Sequence, residues 1–278
     1  AHARGELHGS VWTDLQETQH LPQLATRVFD GHLCITQRFL YGSKPYAEVI
    51  AFADALAAEA QRLGAARGHA FAVTLRGEAK LLSGHLDAAE QDLLAGGRLH
   101  RAIGGATGEA LSLQRRAELA MHRGQADMAR GLLDDALDVA RQSSIGFHLF
   151  DRIYGTRIAM AADTDGALAA IEEADAAVRG PLETCPGCRI TFAIPATIAA
   201  AKAHDMNLAA SHERTSEYLA NTVMKLPAWY ASLHEARAHV ALAAGERDAA
   251  RKEFATAAKG FQDCGQPLDQ ARCQELAR

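Results

Sequence analysis

Ala- and Leu-rich stretches alternate with short polar turns along this chain, and the turns recur at intervals of about forty residues. The turns share a first position that is most often Gly, an Asp, Asn or Pro three residues later, and an Ala two residues after that. Self-similarity at a fixed period is typical of repeat proteins. The Ala positions are Ala47, Ala89, Ala129, Ala167, Ala209 and Ala250, at steps of 42, 40, 38, 42 and 41 residues.

Each position of this turn pattern has a physical reason. Gly ends the first helix of a pair, because a positive φ costs little only for Gly. The Asp or Asn is expected to cap the second helix by accepting backbone N–H bonds, and the Ala lets two helices cross closely. A second column of mostly small residues lies twelve positions before the Ala. Since Gly inside a helix is unfavourable, we expect its glycines, Gly77 and Gly155, to mark close helix contacts.

The pattern predicts an all-α fold: a right-handed α-solenoid of about six helix-turn-helix repeats. An ordinary helical bundle is the alternative. We expect residues 1–22 to form an N-terminal extension or partial helix, 23–264 the solenoid, and 265–278 a C-terminal capping helix. The predicted first helices are 23–40, 69–83, 108–123, 147–161, 189–204 and 228–244. The predicted second helices are 46–63, 86–103, 127–142, 166–178, 208–224 and 247–264, and a last helix covers 268–277.

Composition supports a helical protein. Ala is the best helix former, and β-branched residues are too sparse for an all-β fold or a large parallel sheet. The net charge of −5 argues against a protein that coats nucleic acid. The longest apolar run, 190–201, is too short to cross a bilayer. With five cysteines and no signal-peptide pattern, we expect a cytoplasmic protein without membrane or direct nucleic-acid contact.

Several stretches carry a family resemblance. The turn G-x-x-x-x-A, with a small residue seven positions before its Gly, resembles the tetratricopeptide repeat (TPR), although the period here is longer. The stretches 75–79, 117–120, 183–193 and 265–273 resemble the helical-repeat region of large actinobacterial ATPase regulators, including LuxR-type and adenylate-cyclase-associated proteins. The resemblance implies a signal-sensing role in transcription regulation. The ATPase and DNA-binding modules of those regulators have no counterpart in this sequence.

The tetratricopeptide pattern implies a concave groove lined by the first helices. Its lining positions lie fifteen and eleven residues before each Ala, and most are polar here. They suit a protein segment, a peptide or a small-molecule effector, although a solvated helix face gives the same pattern. The polar positions are His32, Thr36, Thr74, Glu78, Gln114, Glu118, Arg152, Thr156, Glu235 and His239.

No catalytic motif is present in the sequence, so we expect a protein that is not an enzyme. The Gly-rich segment 104–108 follows a predicted helix and lacks the Lys of a phosphate-binding loop, which favours an inter-repeat turn. A G-x-S-x-G nucleophile motif is also missing. No nucleophile and base occur at workable spacing.

Cys185 and Cys188 form a C-x-x-C motif that allows three interpretations. It can be a tight turn that enters a helix, a zinc site completed by two distant ligands, or a redox dithiol. We expect no other cofactor. A metal- or redox-sensing module is therefore one alternative function. Self-association is the other, through a homodimer contact that includes Trp229 and Tyr230.

Overall fold

The computed structural model describes residues 36–143, 145–177 and 186–278. Within these ranges all regular structure is helical and no strand occurs. The chain forms two compact units, divided between Leu149 and Phe150. None of the described helices combines the length and the apolar character needed to cross a membrane. The predicted extension 1–22 and most of the predicted helix 23–40 lie outside the described residues.

In the first unit, helices α2 to α5 each pack against the next helix along the chain, so that the series ends with α6. Short turns join long helices that lie side by side, so successive helices run in opposite directions. The short helix α1 contacts both α2 and α3. The helices are α1 (Thr36–Tyr41), α2 (Tyr46–Arg62), α3 (Ala66–Leu82), α4 (Leu86–Ala102), α5 (Ala106–His122) and α6 (Ala126–Ala140).

The second unit continues the same construction. Helix α9 packs against α8, α10 and α11, and α12 packs against α11 and α13. The prediction of an all-α helical-repeat fold of the α-solenoid type is therefore confirmed. The helices are α7 (Phe147–Met160), which begins just before the boundary, α8 (Thr164–Ala177), α9 (Pro186–Lys202), α10 (Met206–Tyr218) with a π-helical extension (Leu219–Met224), α11 (Pro227–Ala243), α12 (Arg247–Asp263) and α13 (Pro267–Leu276).

A recurrent glycine turn sets the spacing of these helices. At Gly84, the Gly84 N–H donates to the Leu81 carbonyl (3.0 Å) and the His85 N–H to the Lys80 carbonyl (2.8 Å). This is the Schellman motif, which needs a positive φ at the glycine. The same motif forms the turns between repeats. In the first unit, a forty-residue repeat therefore consists of two 17-residue helices, each followed by a three-residue turn. The glycines with positive φ are Gly64, Gly84, Gly104, Gly124, Gly245 and Gly265.

The predicted capping role of the Asp column is wrong for Asp87, Asp127 and Asp248. Each lies inside the first helical turn. The residue that precedes the helix, at the N-cap position, makes no side-chain capping hydrogen bond either. The Schellman turn is so short that the helix begins one residue before the Asp, where a carboxylate still favours the positive end of the helix dipole. A true cap occurs at Asp205, whose Oδ1 accepts from the Leu208 N–H at 3.0 Å.

The two small columns do mark close helix contacts. A Cβ on Gly77 would lie 2.9 Å from Cγ of Leu93 on α4, and a Cβ on Gly155 would overlap the carbonyl oxygen of Thr191 on α9. In the Ala column, only Ala47 is exposed. The buried members are Ala89, Ala129, Ala167, Ala209 and Ala250.

Candidate functional site

The first unit contains a cavity of about 460 Å³, a size typical of small-molecule sites. It is bounded by α1, α3, the end of α4, the turn between α4 and α5, α5 itself, and the segment that follows α6. Its lining is mixed, with an apolar part and a polar part. The apolar side chains are Phe71, Leu75, Ile103, Leu111 and Ile145, and the polar ones are Thr36, Arg67, Thr74, Glu78, His100, Thr107, Gln142 and Ser143.

The Gly-rich segment 104–108 forms one wall of this cavity. It is the inter-repeat turn that the sequence predicts, followed by the first turn of α5. Its glycines make room for the imidazole of His100: a Cβ on Gly108 would overlap the ring, and one on Gly105 would lie 3.1 Å from Nδ1. Burial, with a smaller contribution from the positive charge of Arg67, lowers the pKa of His100 to about 4. The ring is therefore neutral at pH 7.

A buried arginine that the sequence analysis missed adjoins the cavity. Nε of Arg115 donates to Glu78 (2.7 Å), Nη1 to Glu118 (2.7 Å) and Nη2 to the hydroxyl of Tyr41 (3.1 Å). The side chains of Arg115 and Glu78 are only 3% and 1% exposed. Gln114 also donates to Glu118 (2.6 Å). Charge-assisted bonds of this kind fix geometry, so Arg115 joins α1, α3 and α5 beside the cavity.

The predicted groove residues do not form an open polar stripe. Thr36, Thr74 and Glu78 line the cavity of the first unit but are each at most 2% exposed. The first helix of a pair has neighbours on several sides, so most of its polar positions become buried within the fold. Gln114 and Glu118 belong to the Arg115 network, and His32 lies outside the described residues. The members in the second unit, all buried, are Arg152, Thr156, Glu235 and His239.

In the second unit, Glu235 accepts two bonds from Arg272, both 2.7 Å long. His239 packs edge-on against Phe254, with ring centroids 5.1 Å apart. Burial lowers the pKa of His239 to about 4, assisted by the positive charges of Lys202 and Arg272. These side chains are part of the packed interior, so the structure assigns them a supporting role in the helix array.

Carboxylate–arginine links recur one repeat apart. The pairs Glu78–Arg115, Asp151–Arg189 and Glu235–Arg272 are separated by 37, 38 and 37 residues along the chain. The first pair joins α3 to α5, the second α7 to α9 and the third α11 to α13, so every pair links two helices that are separated by one other helix. The available signal in the sequence was an acidic residue followed by Arg about one repeat later.

Only one cysteine of the C-x-x-C motif lies within the described residues. Cys188 is the third residue of α9 and is fully buried, and Cys185 lies outside the described residues. Nowhere in the described ranges do three or more His, Cys, Asp or Glu side chains group so that they could hold a metal ion. Cys264 is buried too, and this burial, with the charge of Asp263, raises its pKa to about 11.

Trp229, one of the two residues named for the predicted dimer contact, is 6% exposed and packed inside its own unit, and the homodimer itself stays a prediction. Tyr230 is 37% exposed. Large apolar residues are often buried in the core of their own chain. An aromatic pair at the start of a helix therefore does not by itself indicate an interface.

This chain thus combines a helical-repeat construction with a cavity and with buried arginine links. The resemblance to the repeat region of ATPase regulators stays a prediction. In comparisons with known proteins, no family model matches the chain, and neither a curated protein nor a solved structure matches it.

Proposed function

We propose that this chain is a non-catalytic helical-repeat domain that binds an effector molecule, or a short segment of a protein partner, in the cavity of its first unit. The observation that carries the proposal is the cavity itself. Its volume of about 460 Å³ lies within the range of ligand sites, and its lining combines apolar side chains with a few polar groups. A small molecule, or one side chain of a bound peptide, fits this volume.

The chemistry of the lining supports binding more than catalysis. The hydroxyls of Thr107 and Ser143, which are potential nucleophiles, bond each other at 2.8 Å. The carboxylate of Glu78, a potential base, is engaged by Arg115. A catalytic nucleophile needs a base within hydrogen-bond reach, and these groups have other partners instead.

The biological context of the proposal comes from the sequence resemblance. The stretches that resemble the repeat region of actinobacterial ATPase regulators suit a cytoplasmic sensor domain within a larger bacterial transcription regulator. In that setting the domain binds the signal and makes no direct contact with nucleic acid or membrane. The cavity supplies the place where such a signal binds.

The experiment is a ligand-observed NMR screen of a mixed fragment library. Ala106 lines the cavity at the first position of α5, and Ala126 holds the same position of α6, is exposed and lies away from the cavity. Ala106→Phe fills the cavity, and Ala126→Phe is the matched control. We expect fragments that bind the wild-type chain and Ala126→Phe to lose binding to Ala106→Phe. Equal binding to all three proteins, or no binding fragment at all, would overturn the proposal.

A further inference from the structure

We propose that the cavity of the first unit selects an uncharged molecule, one that has an apolar or aromatic body and a hydroxyl or amide group bonded to the imidazole of His100. This inference rests on the proposed function and names the class of ligand for the same site. It follows from the state of the polar groups in the cavity wall.

The imidazole of His100 is a polar group in the wall that is open to a ligand. Its side chain lines the cavity, and within the described residues neither ring nitrogen forms a hydrogen bond. Gly105 and Gly108 leave the space that the ring fills. A neutral imidazole has one nitrogen that donates and one that accepts. It can therefore bond to a ligand hydroxyl or amide of either polarity.

Two hydroxyls add a second uncharged group to the same lining. Oγ1 of Thr107 and Oγ of Ser143 bond each other at 2.8 Å, and Oγ of Ser143 also accepts from the Ile145 N–H at 3.3 Å. The bond between the hydroxyls uses one of their two hydrogens, since each hydroxyl has a single hydrogen to donate. The other hydrogen can be donated to a ligand oxygen.

The surroundings of His100 disfavour a charge. Burial is the main cause that lowers the pKa of His100 to about 4, and the positive charge of Arg67 adds to it. Burial penalises charges of both signs, because an ion loses its hydration there. A charged group of a ligand beside this imidazole meets the same penalty, and a cation is also repelled by Arg67.

The charged side chains of the wall are already engaged. Arg67 and Glu78 are the charged side chains among the described lining residues. The carboxylate of Glu78 accepts from the buried Arg115 at 2.7 Å, and Arg67 has an interaction of its own. A ligand ion would have to compete for one of these groups to gain a counter-charge, whereas an uncharged ligand needs only His100 or a hydroxyl.

The other part of the wall is apolar. Phe71, Leu75, Leu111 and Ile145 supply aromatic and branched aliphatic surface. Burial of apolar ligand area against such side chains contributes affinity in proportion to area. An apolar body against these side chains, with one uncharged polar group at His100, therefore uses both parts of the lining.

The test compares three probes of similar shape, 2-phenylethanol, phenylacetate and 2-phenylethylamine, titrated at pH 7 into the ¹⁵N-labelled chain. We expect 2-phenylethanol to shift the amide signals of Gly105 and Gly108, which lie beside His100. It should bind about tenfold more tightly than either charged probe, because the cavity does not replace the hydration that an ion loses.

Three variants test the role of the imidazole. His100→Leu removes both ring nitrogens and should weaken binding of 2-phenylethanol about threefold to tenfold, the effect of one lost uncharged hydrogen bond. His100→Gln keeps a donor and an acceptor and should retain part of that affinity. The matched control is His122→Leu, at the exposed last residue of α5 and outside the cavity lining, which should bind as the wild-type chain does.

The outcomes separate this inference from the proposed function. If phenylacetate or 2-phenylethylamine binds as tightly as 2-phenylethanol, or if His100→Leu and His122→Leu bind 2-phenylethanol equally, the inference is overturned while the cavity remains a binding site. The same holds if library fragments bind the cavity and 2-phenylethanol does not. If His100→Leu does not fold, the ranking of the three probes on the wild-type chain decides. If neither the probes nor any library fragment binds, both the inference and the proposed function are overturned.

Discussion

The guanidinium of Arg115 binds two carboxylates and a phenol hydroxyl at a place that solvent barely reaches. Moving such an ion from water into the interior costs several kcal/mol, and only well-formed bonds offset that cost. Glu78 depends on Arg115 in the same way. At the scale of single residues, the charges of the first unit are therefore coupled, and removal of one leaves another buried without its counter-ion.

We expect Arg115→Met to lower the free energy of unfolding by about 3–5 kcal/mol, measured by urea denaturation. The control is Arg130→Met, which removes an exposed pair with Asp127 and should cost less than about 1 kcal/mol. Adding Glu78→Leu to Arg115→Met should recover much of the loss, because it removes the orphaned charge. Equal losses for Arg115→Met and Arg130→Met would contradict the coupling.

The buried histidines predict a dependence of stability on pH. His100 and His239 have pKa values lowered to about 4 in the folded chain, whereas the unfolded chain titrates near 6.5. Between these values the unfolded state binds more protons, so the free energy of unfolding falls as the pH is lowered from about 6.5 towards 4 and is fully retained above that window.

From pH 7 to pH 5, each such histidine should contribute a loss of about 1–2 kcal/mol. Urea denaturation of the wild-type chain and of His239→Leu at both pH values measures the difference, with each protein serving as its own reference at pH 7. The same pH-dependent loss in both proteins would show that His239 is not responsible.

The sequence identified polar positions such as Glu78 and Glu235 because they interrupt Ala- and Leu-rich helices. It could not show that they are buried, since their partners Arg115 and Arg272 lie one repeat further along the chain. A pattern analysed helix by helix contains no information about such pairing. The cavity escaped prediction for a similar reason: its wall combines residues of four helices with two connecting segments.

At the scale of elements, glycine determines both where helices end and how closely they approach. Helix positions could be predicted well because the turn glycines are visible in the sequence, and the described helices from α2 onwards begin and end within three residues of expectation. The capping role of the Asp column could not, since it depends on which residue stands immediately before the helix. In the turn 203–205 that residue is Asp205 itself, and its side chain is a true cap.

Two glycine substitutions separate close packing from helix propensity. Gly155→Ala should lower the free energy of unfolding by at least about 1–3 kcal/mol, because the added methyl group overlaps a backbone carbonyl of α9 that cannot rotate away. Gly131→Ala, on the exposed face of α6 with no atom near its Cβ position, should raise it by about 0.5–1 kcal/mol. Thermal and urea denaturation measure both, and effects of the same sign would contradict this account of Gly155.

At the scale of the whole molecule, helices contact their near neighbours along the chain, as in other repeat proteins. Stability is then distributed locally and need not be lost everywhere at once. A substitution in one repeat should therefore lower the stability chiefly of the helices next to it.

Amide hydrogen exchange tests this locality. Arg272→Met removes the bidentate bond that joins α13 to Glu235 on α11. We expect faster exchange in α11 to α13, while protection of α2 to α5 stays as in the wild-type chain. A uniform loss of protection along the chain would show that it unfolds as one cooperative body.

The even spacing of the glycine turns restricts how such a chain can change in length. Gly64, Gly84, Gly104 and Gly124 are each twenty residues apart, so removing or adding twenty residues leaves every turn intact but reverses the direction of all later helices. Forty residues restore the direction, and they also restore the order of alternate helices on which the acid–arginine links depend. A deletion or insertion of forty residues in this chain should therefore disturb the fold less than one of twenty, which separates a buried carboxylate from its arginine when it falls between them.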